Sequence, residues 1–398
     1  MPSLLLRREA RSSAGATLAT AVLLLGVVPR TGVAQGSLAG QGFGYPPGEL
    51  STRALGTGGG LAEFDPVTPI NPATLALYGR TGFAFQYDPE FRTTQVNGMT
   101  SHNTVARFPV VSVGVPFRQR FTIGLSASTL LDRSFTTQYP TTTVIGGQSV
   151  LANETVESRG SISDLRLGVG AIVTRWLQVG VGVHRMTGQN RLVSGRQFAG
   201  ADTTQFGSVS DSTTLDYTGS AVSVGALFTP VRGLSIGASA RRGGGLRTSR
   251  NDTVITRADV PDRDGIGLRI DRITGATIAA SYARTRWSSM QSLGTANLQA
   301  RDTHELMGGI EAVGPSVGSS PSILRLGARS RTLPFGIGGA NIHETAYTGG
   351  FGLPFSGGRA LADLAVQRSN RTPDGGTADV QGARERAWTV SLGFTLRP

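Results

Sequence analysis

From residue 81 onward the chain alternates. Phe121, Ile123, Leu125, Ala127, Thr129 and Leu131 fall on one parity, with Thr122, Gly124, Ser126 and Ser128 on the other. Leu165, Leu167, Val169, Ala171 and Val173 alternate in the same way with Asp164, Arg166, Gly168 and Gly170. Leu177, Val179, Val181 and Val183 alternate with Gln178, Gly180, Gly182 and His184, and Trp388, Val390, Leu392, Phe394 and Leu396 close the chain on the same pattern. A period of two over eight to ten residues is the signal of a strand with one apolar face. Fourteen such segments stand near 81–91, 104–115, 120–132, 156–173, 176–187, 214–228, 234–247, 271–284, 286–297, 303–312, 323–332, 343–353, 359–369 and 384–396. Most reach the ~9–11 residues that a membrane-spanning strand needs. The segment around Trp287 to Ala296 alternates least clearly.

The connections sort by parity. Short ones follow the even segments: Pro116 to Gln119, Thr174-Arg175, Thr229 to Gly233, Thr285, Gly314 to Ser322 and Pro354 to Gly358. Long ones, rich in Asp, Thr, Ser, Gly and Arg, follow odd segments, as at Asp132 to Thr155, Gly188 to Thr213 and Gly245 to Ile270. Short turns at one end and long loops at the other are the asymmetry of outer-membrane barrels with both termini in the periplasm. A β-sandwich would need a bulky inner face, whereas the second face here is Gly, Ser, Thr and scattered charge. Residues 80–398 are therefore expected to form an all-β fold, a transmembrane antiparallel β-barrel of about fourteen strands.

One stretch, Glu49 to Tyr78, breaks the alternation. It is compact, punctuated by Gly and Pro, and carries scattered apolar residues. An eight-stranded barrel fills with its own side chains, while sixteen or more strands leave a water channel. A barrel of about fourteen needs a plug, and residues 35–79 are expected to supply a lead-in and a hatch within the lumen. Glycine permits positive φ and close backbone approach. Pro66, Pro69 and Pro72 hold a path without ladder hydrogen bonds, and the Asn71 amide can pair with backbone in a tight turn.

Residues 1–34 read as a Sec-type signal peptide. Arg7, Arg8 and Arg11 precede an apolar run from Ala16 to Val28, and Gly32-Val33-Ala34 offers a cleavage site before Gln35. Export to the outer membrane of a Gram-negative-type bacterium is the expected destination.

Composition narrows the function classes. All 38 basic residues are arginine, and the formal net charge is +12. The arginines are spread through turns and loops without interleaved aromatics, so no nucleic-acid partner is expected. Anionic outer-membrane lipids are the more natural partner. With no cysteine, disulfides, thiol nucleophiles and a lipoprotein anchor are excluded. His102, His184, His304 and His343 lack metal-ligand spacing, Gly56-Thr-Gly-Gly-Gly60 lacks the lysine of a phosphate loop, and no Gly-x-Ser-x-Gly elbow is present. No enzyme activity, metal or cofactor is expected. On the last five segments, Glu305, Glu311, Arg325, Arg329, Glu344, Asp363 and Glu385 fall mostly on the inward parity. They are expected to form one lumenal charge network gripping Arg53 or the rest of the hatch. Clustered Leu and Phe, at ~0.8 kcal/mol per buried methylene, would mark a groove for a hydrophobic ligand, and the loops show no such cluster.

Arg53-Ala-Leu-Gly-Thr-Gly-Gly, the acidic Asp65, and then Asn71-Pro72-Ala73 resemble the N-terminal hatch of the FadL-type outer-membrane transporters, a family that includes PorV-like relatives. Leu333-Pro-Phe and Glu344-Thr-Ala-Tyr-Thr-Gly-Gly-Phe-Gly-Leu-Pro-Phe355 resemble late strands of the same barrels. The chain departs from them at its end, where Phe394 is followed by Thr-Leu-Arg-Pro. The resemblance implies hatch and gating roles for Arg53, Gly56, Gly58, Gly59, Asp65, Asn71, Pro72 and Ala73. It also implies passage of a small hydrophobic compound, by a hatch shift or a lateral gap in the wall. The alternatives are a PorV-like role in binding or shuttling secreted proteins, or a purely structural barrel.

Overall fold

The computed structural model describes residues 38, 43–96, 99–145, 148–198, 208–293, 299–318, 320–337, 339–375 and 382–397. The expected signal peptide and the start of the lead-in lie outside them. Seventeen hydrogen-bonded segments form one sheet. They are β1 (Gly82–Val96), β2 (Met99–Arg107), β3 (Val110–Phe117), β4 (Phe121–Asp132), β5 (Phe135–Ile145), β6 (Gln148–Thr174), β7 (Leu177–Phe198), β8 (Val209–Val231), β9 (Leu234–Arg250), β10 (Thr253–Asp259), β11 (Arg263–Ile273), β12 (Ala276–Thr285), β13 (Thr303–Val317), β14 (Ser320–Ile337), β15 (Ala340–Phe355), β16 (Ala360–Asp374) and β17 (Arg384–Leu396).

Three pairs of segments are single wall strands interrupted midway. β2 and β3 both pair with β1, β4 and β5 both pair with β6, and β10 and β11 both pair with β9. The wall thus has fourteen antiparallel strands, and β1 closes it by pairing with β17 from Phe83↔Leu396 to Gln95↔Arg384.

Alternation becomes inside and outside. On β4, Phe121, Ile123 and Leu125 are exposed while Thr122, Gly124 and Ser126 are buried towards the lumen. Exposure of Leu326 at 70% and Leu306 at 62%, with similar side chains on most strands, makes a continuous apolar band that only lipid covers favourably.

The strand count agrees with the sequence reading, but one strand differs. The Trp287 segment is no strand. It forms a 3-10 helix, Trp287–Leu293, whose buried residues Trp287, Met290 and Leu293 repeat every third position, the period of that helix. The strand in its place is β10 with β11, inside the expected Gly245–Ile270 loop. Its inward positions are Arg263, Gly265 and Gly267, and only Ile266, Leu268 and Ile270 offer apolar side chains on the outward parity, a short run set among Arg and Asp. The tight turn is therefore not at Thr285 but at Thr274-Gly275, where Gly275 has φ +76°.

The other expected long loops are mostly strand. β6 runs for 27 residues, far beyond the ~9–11 that cross a bilayer, so β5 to β8 project past the membrane. There lipid no longer covers the outer face and only a small apolar patch, Val150, Ala152 and Phe198, is buried, so the pattern no longer betrays the strand.

Candidate functional site: the hatch, its seat and the opening in the wall

Glu49 to Tyr78 lies buried within the barrel. Ser51 starts a five-residue helix, α1 (Thr52–Gly56), by accepting the Ala54 N–H on its Oγ at 3.0 Å. Asp65 folds the hatch onto this cap. Its Oδ2 accepts from Ser51 Oγ at 2.5 Å and Thr68 Oγ1 at 3.0 Å, while Arg53 lies 3.6 Å from its Oδ1. Gly58 and Gly59, at φ +63° and +88°, turn the chain after α1 where a side chain would be strained. Asn71 caps a second short helix, the 3-10 segment Pro72–Leu77. Its Oδ1 accepts from Ala73 N at 3.0 Å, and its Nδ2 donates to Glu63 O at 3.1 Å and, on the wall, to Ala226 O at 3.3 Å. Pro72 occupies the first helical position, where its missing N–H costs nothing.

The hatch sits on a belt of glycine. Inward glycines face each other across the ladder: Gly82 and Gly114, Gly114 and Gly124, Gly124 and Gly168, Gly170 and Gly180, Gly180 and Gly225. On the far wall Gly237 faces Gly267 and Gly309 faces Gly327. Hatch backbone fills the space their side chains would take. A Cβ on Gly170 would lie 2.6 Å from Ala76 N, one on Gly237 2.9 Å from Glu63 Cβ, and one on Gly350 3.1 Å from Gly56 Cα. Those on Gly180 and Gly225 would strike Pro72 and the Asn71 amide. This contact explains much of the content of 56 glycines, about twice the usual ~7%. Of the eight candidate hatch residues, Asn71, Pro72, Ala73, Gly56, Gly58 and Gly59 touch the wall through backbone or amide, Arg53 through charge, and Asp65 acts within the hatch.

The seven candidate wall charges form two clusters instead of the single network expected. Glu311, Arg325 and Asp363 join Arg53 near the end with short turns. Arg53 donates from Nε and Nη2 to the two Glu311 oxygens at 2.8 and 2.6 Å, and Arg325 bridges Glu311 at 2.7 Å and Asp363 at 2.6 Å. Burial favours the neutral guanidine of Arg53, but the Glu311 carboxylate outweighs it and holds the pKa above the ordinary arginine value.

Glu305, Arg329, Glu344 and Glu385 belong to a second cluster on the opposite side of the hatch, towards the long connections. Glu344 accepts from Arg331 Nε at 2.7 Å and Arg371 Nε at 2.5 Å, Arg371 reaches Glu385 and Glu90, and Arg107 links Glu90 to Asp132. Arg331, Arg371, Glu90, Arg92 and Arg107 escaped the sequence reading, although Glu90-x-Arg92 and Arg329-x-Arg331 share one inward parity. The split follows from height along the barrel, which parity does not encode.

Two more hatch acids meet the wall, Glu63 with Arg263 at 3.3 Å and Glu49 with Arg241 at 2.9 Å. Arg241 also approaches Asp164 at 3.3 Å, which accepts from His184 Nδ1 at 2.9 Å, and His184 Nε2 contacts Ser223 Oγ at 2.8 Å. Ser, His and Asp stand in the order of a hydrolase triad. Ser223 Oγ, however, lies over Gly182 beside the Arg166 methylenes, so the chain reads as a relay from three wall strands to Glu49 of the hatch.

Above the belt the wall opens. Among the described residues, β2 pairs only with β1 and β5 only with β6. The ladder between the second and third wall strands stops at Thr129 N donating to Pro109 O at 3.2 Å. Pro109 cannot donate to a ladder, and the register of β4 shifts between Thr129 and Leu131. Arg107 and Asp132 mark the floor of the gap, joined at 2.9 Å. Phe108, 58% exposed, stands at its rim against Tyr87 and Phe85.

Behind the gap lies an apolar chamber. Leu130, Ile162, Met186, Tyr217, Leu246, Trp287, Met290, Leu333, Phe335 and Ile342 form its core, and Leu38 and Phe43 of the lead-in pack into it. An apolar cluster is thus present inside the barrel. Its strand residues come one or two at a time from β4, β6, β7, β8, β9, β14 and β15, so no local cluster of Leu and Phe announces it. A cavity between chamber and hatch is lined by Pro46, Ile70, Leu130, Trp287, Met307 and Arg331.

No family model and no curated protein matches this sequence. Solved structures do. A FadL homologue of Pseudomonas aeruginosa is 14% identical, with a TM-score of 0.57 over 89% of this chain and 99% of its own. The toluene transporter TodX of P. putida is 13% identical, with a TM-score of 0.55 over 91% and 99%. The monoaromatic hydrocarbon channel CymD is 13% identical, with a TM-score of 0.52 over 90% and 99%. The chain therefore has the fold of the FadL-type channels, a fourteen-stranded membrane barrel built around an N-terminal hatch.

Proposed function

We propose that this protein passes small hydrophobic compounds across the outer membrane, from the extracellular chamber sideways through the gap between β2 and β5. The observation that carries the reading is the pairing of a seated hatch with an unpaired wall. Below the chamber, hatch backbone packs on the glycine belt, and three ion-paired hatch residues, Glu49, Arg53 and Glu63, meet the wall. Beside the chamber, no ladder hydrogen bond has to break. A hydrophobic solute released there enters hydrocarbon, which favours it by ~0.8 kcal/mol per methylene, and it never has to cross an aqueous lumen. The fold shared with TodX and CymD, described as toluene and monoaromatic hydrocarbon channels, supports a solute of that size. Arg53, Gly56, Gly58, Gly59, Asp65, Asn71, Pro72 and Ala73 serve in this reading to keep the hatch shut. Cells coated with lipopolysaccharide and expressing the protein are expected to take up labelled toluene faster than cells carrying an empty vector. Their uptake of a polar solute of similar size should not change. Equal acceleration of both solutes would mean an open pore and would refute the lateral route.

A second reading rests on the free outer edge of β5, which lies beyond the membrane and could add a strand from a secreted protein. A stable stoichiometric protein partner, lost when Thr142 on β5 is replaced by Pro, would favour it.

A further inference from the structure

The lead-in delivers one side chain into the upper charge cluster in a manner that the hatch's seating does not require. Four guanidinium groups surround the Tyr45 ring, Arg371 at 4.3 Å from its centroid, Arg92 at 5.0 Å, Arg107 at 5.1 Å and Arg331 at 5.2 Å. The phenol oxygen donates to Glu344 Oε2 at 3.0 Å and accepts from Arg371 Nη2 at 2.8 Å and from Arg331. The ring is therefore held on its faces by cations and at its tip by a donor and an acceptor. We propose that this socket is a binding site for phenols, which the Tyr45 side chain occupies as a tethered surrogate and which a free hydroxylated aromatic can take in its place.

Charge decides the ligand class. The four arginines are matched by Glu90, Glu344, Glu385 and Asp132, each in direct contact with at least one of them. A carboxylate would add an unmatched negative charge, whereas a neutral phenol leaves the balance intact. Burial outweighs the pull of Arg331 and Arg371 and raises the Tyr45 pKa, keeping the hydroxyl protonated. A plain hydrocarbon such as toluene would forfeit the hydrogen bonds that the hydroxyl makes to Glu344 Oε2 and Arg371 Nη2, a loss that sites built for a hydroxyl do not tolerate. Access is available from both sides. Pro46 and Arg331 also line the cavity below the chamber, and Arg107 and Asp132 form the floor of the lateral gap.

Tyr45 is held on a short, hinged segment. Gly44 at φ +115° and Gly48 at φ +89° flank Tyr45-Pro46-Pro47. A single β-bridge, Tyr45 N to Asp132 O at 2.7 Å and Asp132 N to Tyr45 O at 2.9 Å, fixes its backbone. Displacement breaks that bridge without unfolding the hatch. The inference rests on the transport reading only in assuming that ligands reach the chamber.

Calorimetric titration of the full chain in detergent micelles with 4-methylphenol, toluene and benzoate tests it, alongside hydrogen exchange of residues 43–48. The Tyr45→Ala variant is expected to bind one equivalent of 4-methylphenol about tenfold or more tighter than toluene or benzoate. The natural protein should bind 4-methylphenol more weakly than that variant, because Tyr45 competes, and saturation should speed exchange around Tyr45. Tyr45→Phe keeps the ring but loses the tip hydrogen bonds, so it should bind 4-methylphenol more tightly than the natural protein and guards against a Tyr45→Ala chain that fails to fold. Equal binding of toluene and 4-methylphenol would overturn the proposal, as would tighter binding of benzoate. So would a natural protein that neither binds 4-methylphenol nor changes its exchange. Toluene uptake by cells is read separately, so loss of uptake with phenol binding intact would refute transport alone.

Discussion

Replacing Glu344 by Gln is expected to destabilise the barrel by about 3–5 kcal/mol, the cost of removing one partner from a buried ion pair. The carboxylate is fully buried and receives Arg331, Arg371 and Arg329 together with the Tyr45 hydroxyl. Glutamine has the same shape, yet it withdraws the only negative charge that those guanidinium groups share and turns an amide donor towards them. Glu305, whose side chain is 22% exposed and stands 3.4 and 3.9 Å from Arg329 and Arg331, is the matched comparison. Glu305→Gln should cost no more than about 1 kcal/mol, as expected of a hydrated pair. Urea unfolding of the refolded barrel, followed by tryptophan fluorescence, measures both. Equal losses in the two variants would mean that the upper cluster is hydrated throughout and holds nothing in place.

A side chain on the glycine belt should unseat the hatch without preventing the barrel from closing. Gly180→Val and Gly225→Val each aim branched carbons at Pro72 and Asn71. Overpacking of this kind costs about 1–3 kcal/mol or more per site, and at these positions the obstacle is backbone and a capping amide instead of a flexible tip. The strands themselves tolerate valine well, so the cheaper response is for the 3-10 segment Pro72–Leu77 to lift away. Single-channel conductance in planar bilayers should then rise about tenfold as water enters a fourteen-stranded lumen, and Glu49 to Tyr78 should become cleavable by protease. Gly195→Val, on β7 where a Cβ would meet nothing within 4 Å, should leave both readouts unchanged. A closed channel in all three variants would show that the belt does not hold the hatch.

The barrel was legible because lipid on one side and a polar lumen on the other impose period two wherever a strand crosses the membrane. Phe121 to Leu125 and Trp388 to Phe394 needed no other information. Where that contrast fails, legibility fails too. Beyond the bilayer, β5 to β8 have no lipid to face and bury only the small patch of Val150, Ala152 and Phe198, so their residues read as loop. β11 offers lipid only the short run Ile266, Leu268 and Ile270, and its inward Arg263, Gly265 and Gly267 resemble a turn. The Trp287 segment alternates least clearly of the fourteen, and the spacing of three between Trp287, Met290 and Leu293 is that of a 3-10 helix.

The interior was read more coarsely. Inward charge on the late strands was visible from parity, but its division into a cluster at Arg53 and another at Tyr45 depends on height and on which strands the closed wall brings together. Glu90, on β1, meets Arg371, on β16, only because the barrel closes. The apolar chamber was hidden for a similar reason, since Leu130, Met186, Leu246 and Phe335 stand singly on four strands. The gap left one trace, Pro109 within the 104–115 segment, and a lone proline in a strand can equally mark an ordinary edge.

The central claim is that solute leaves sideways while the hatch stays seated. Thr52 Oγ1 and Ser391 Oγ, hatch and wall, are 2.8 Å apart, so cysteines at these positions would bring two thiols together to form a disulfide. The chain has no cysteine of its own to interfere. Toluene uptake by cells expressing Thr52→Cys/Ser391→Cys should be measured under oxidising conditions and again after reduction. The lateral route predicts the same uptake in both states. Uptake that stops on oxidation and returns on reduction would show that the hatch must move, and would contradict it.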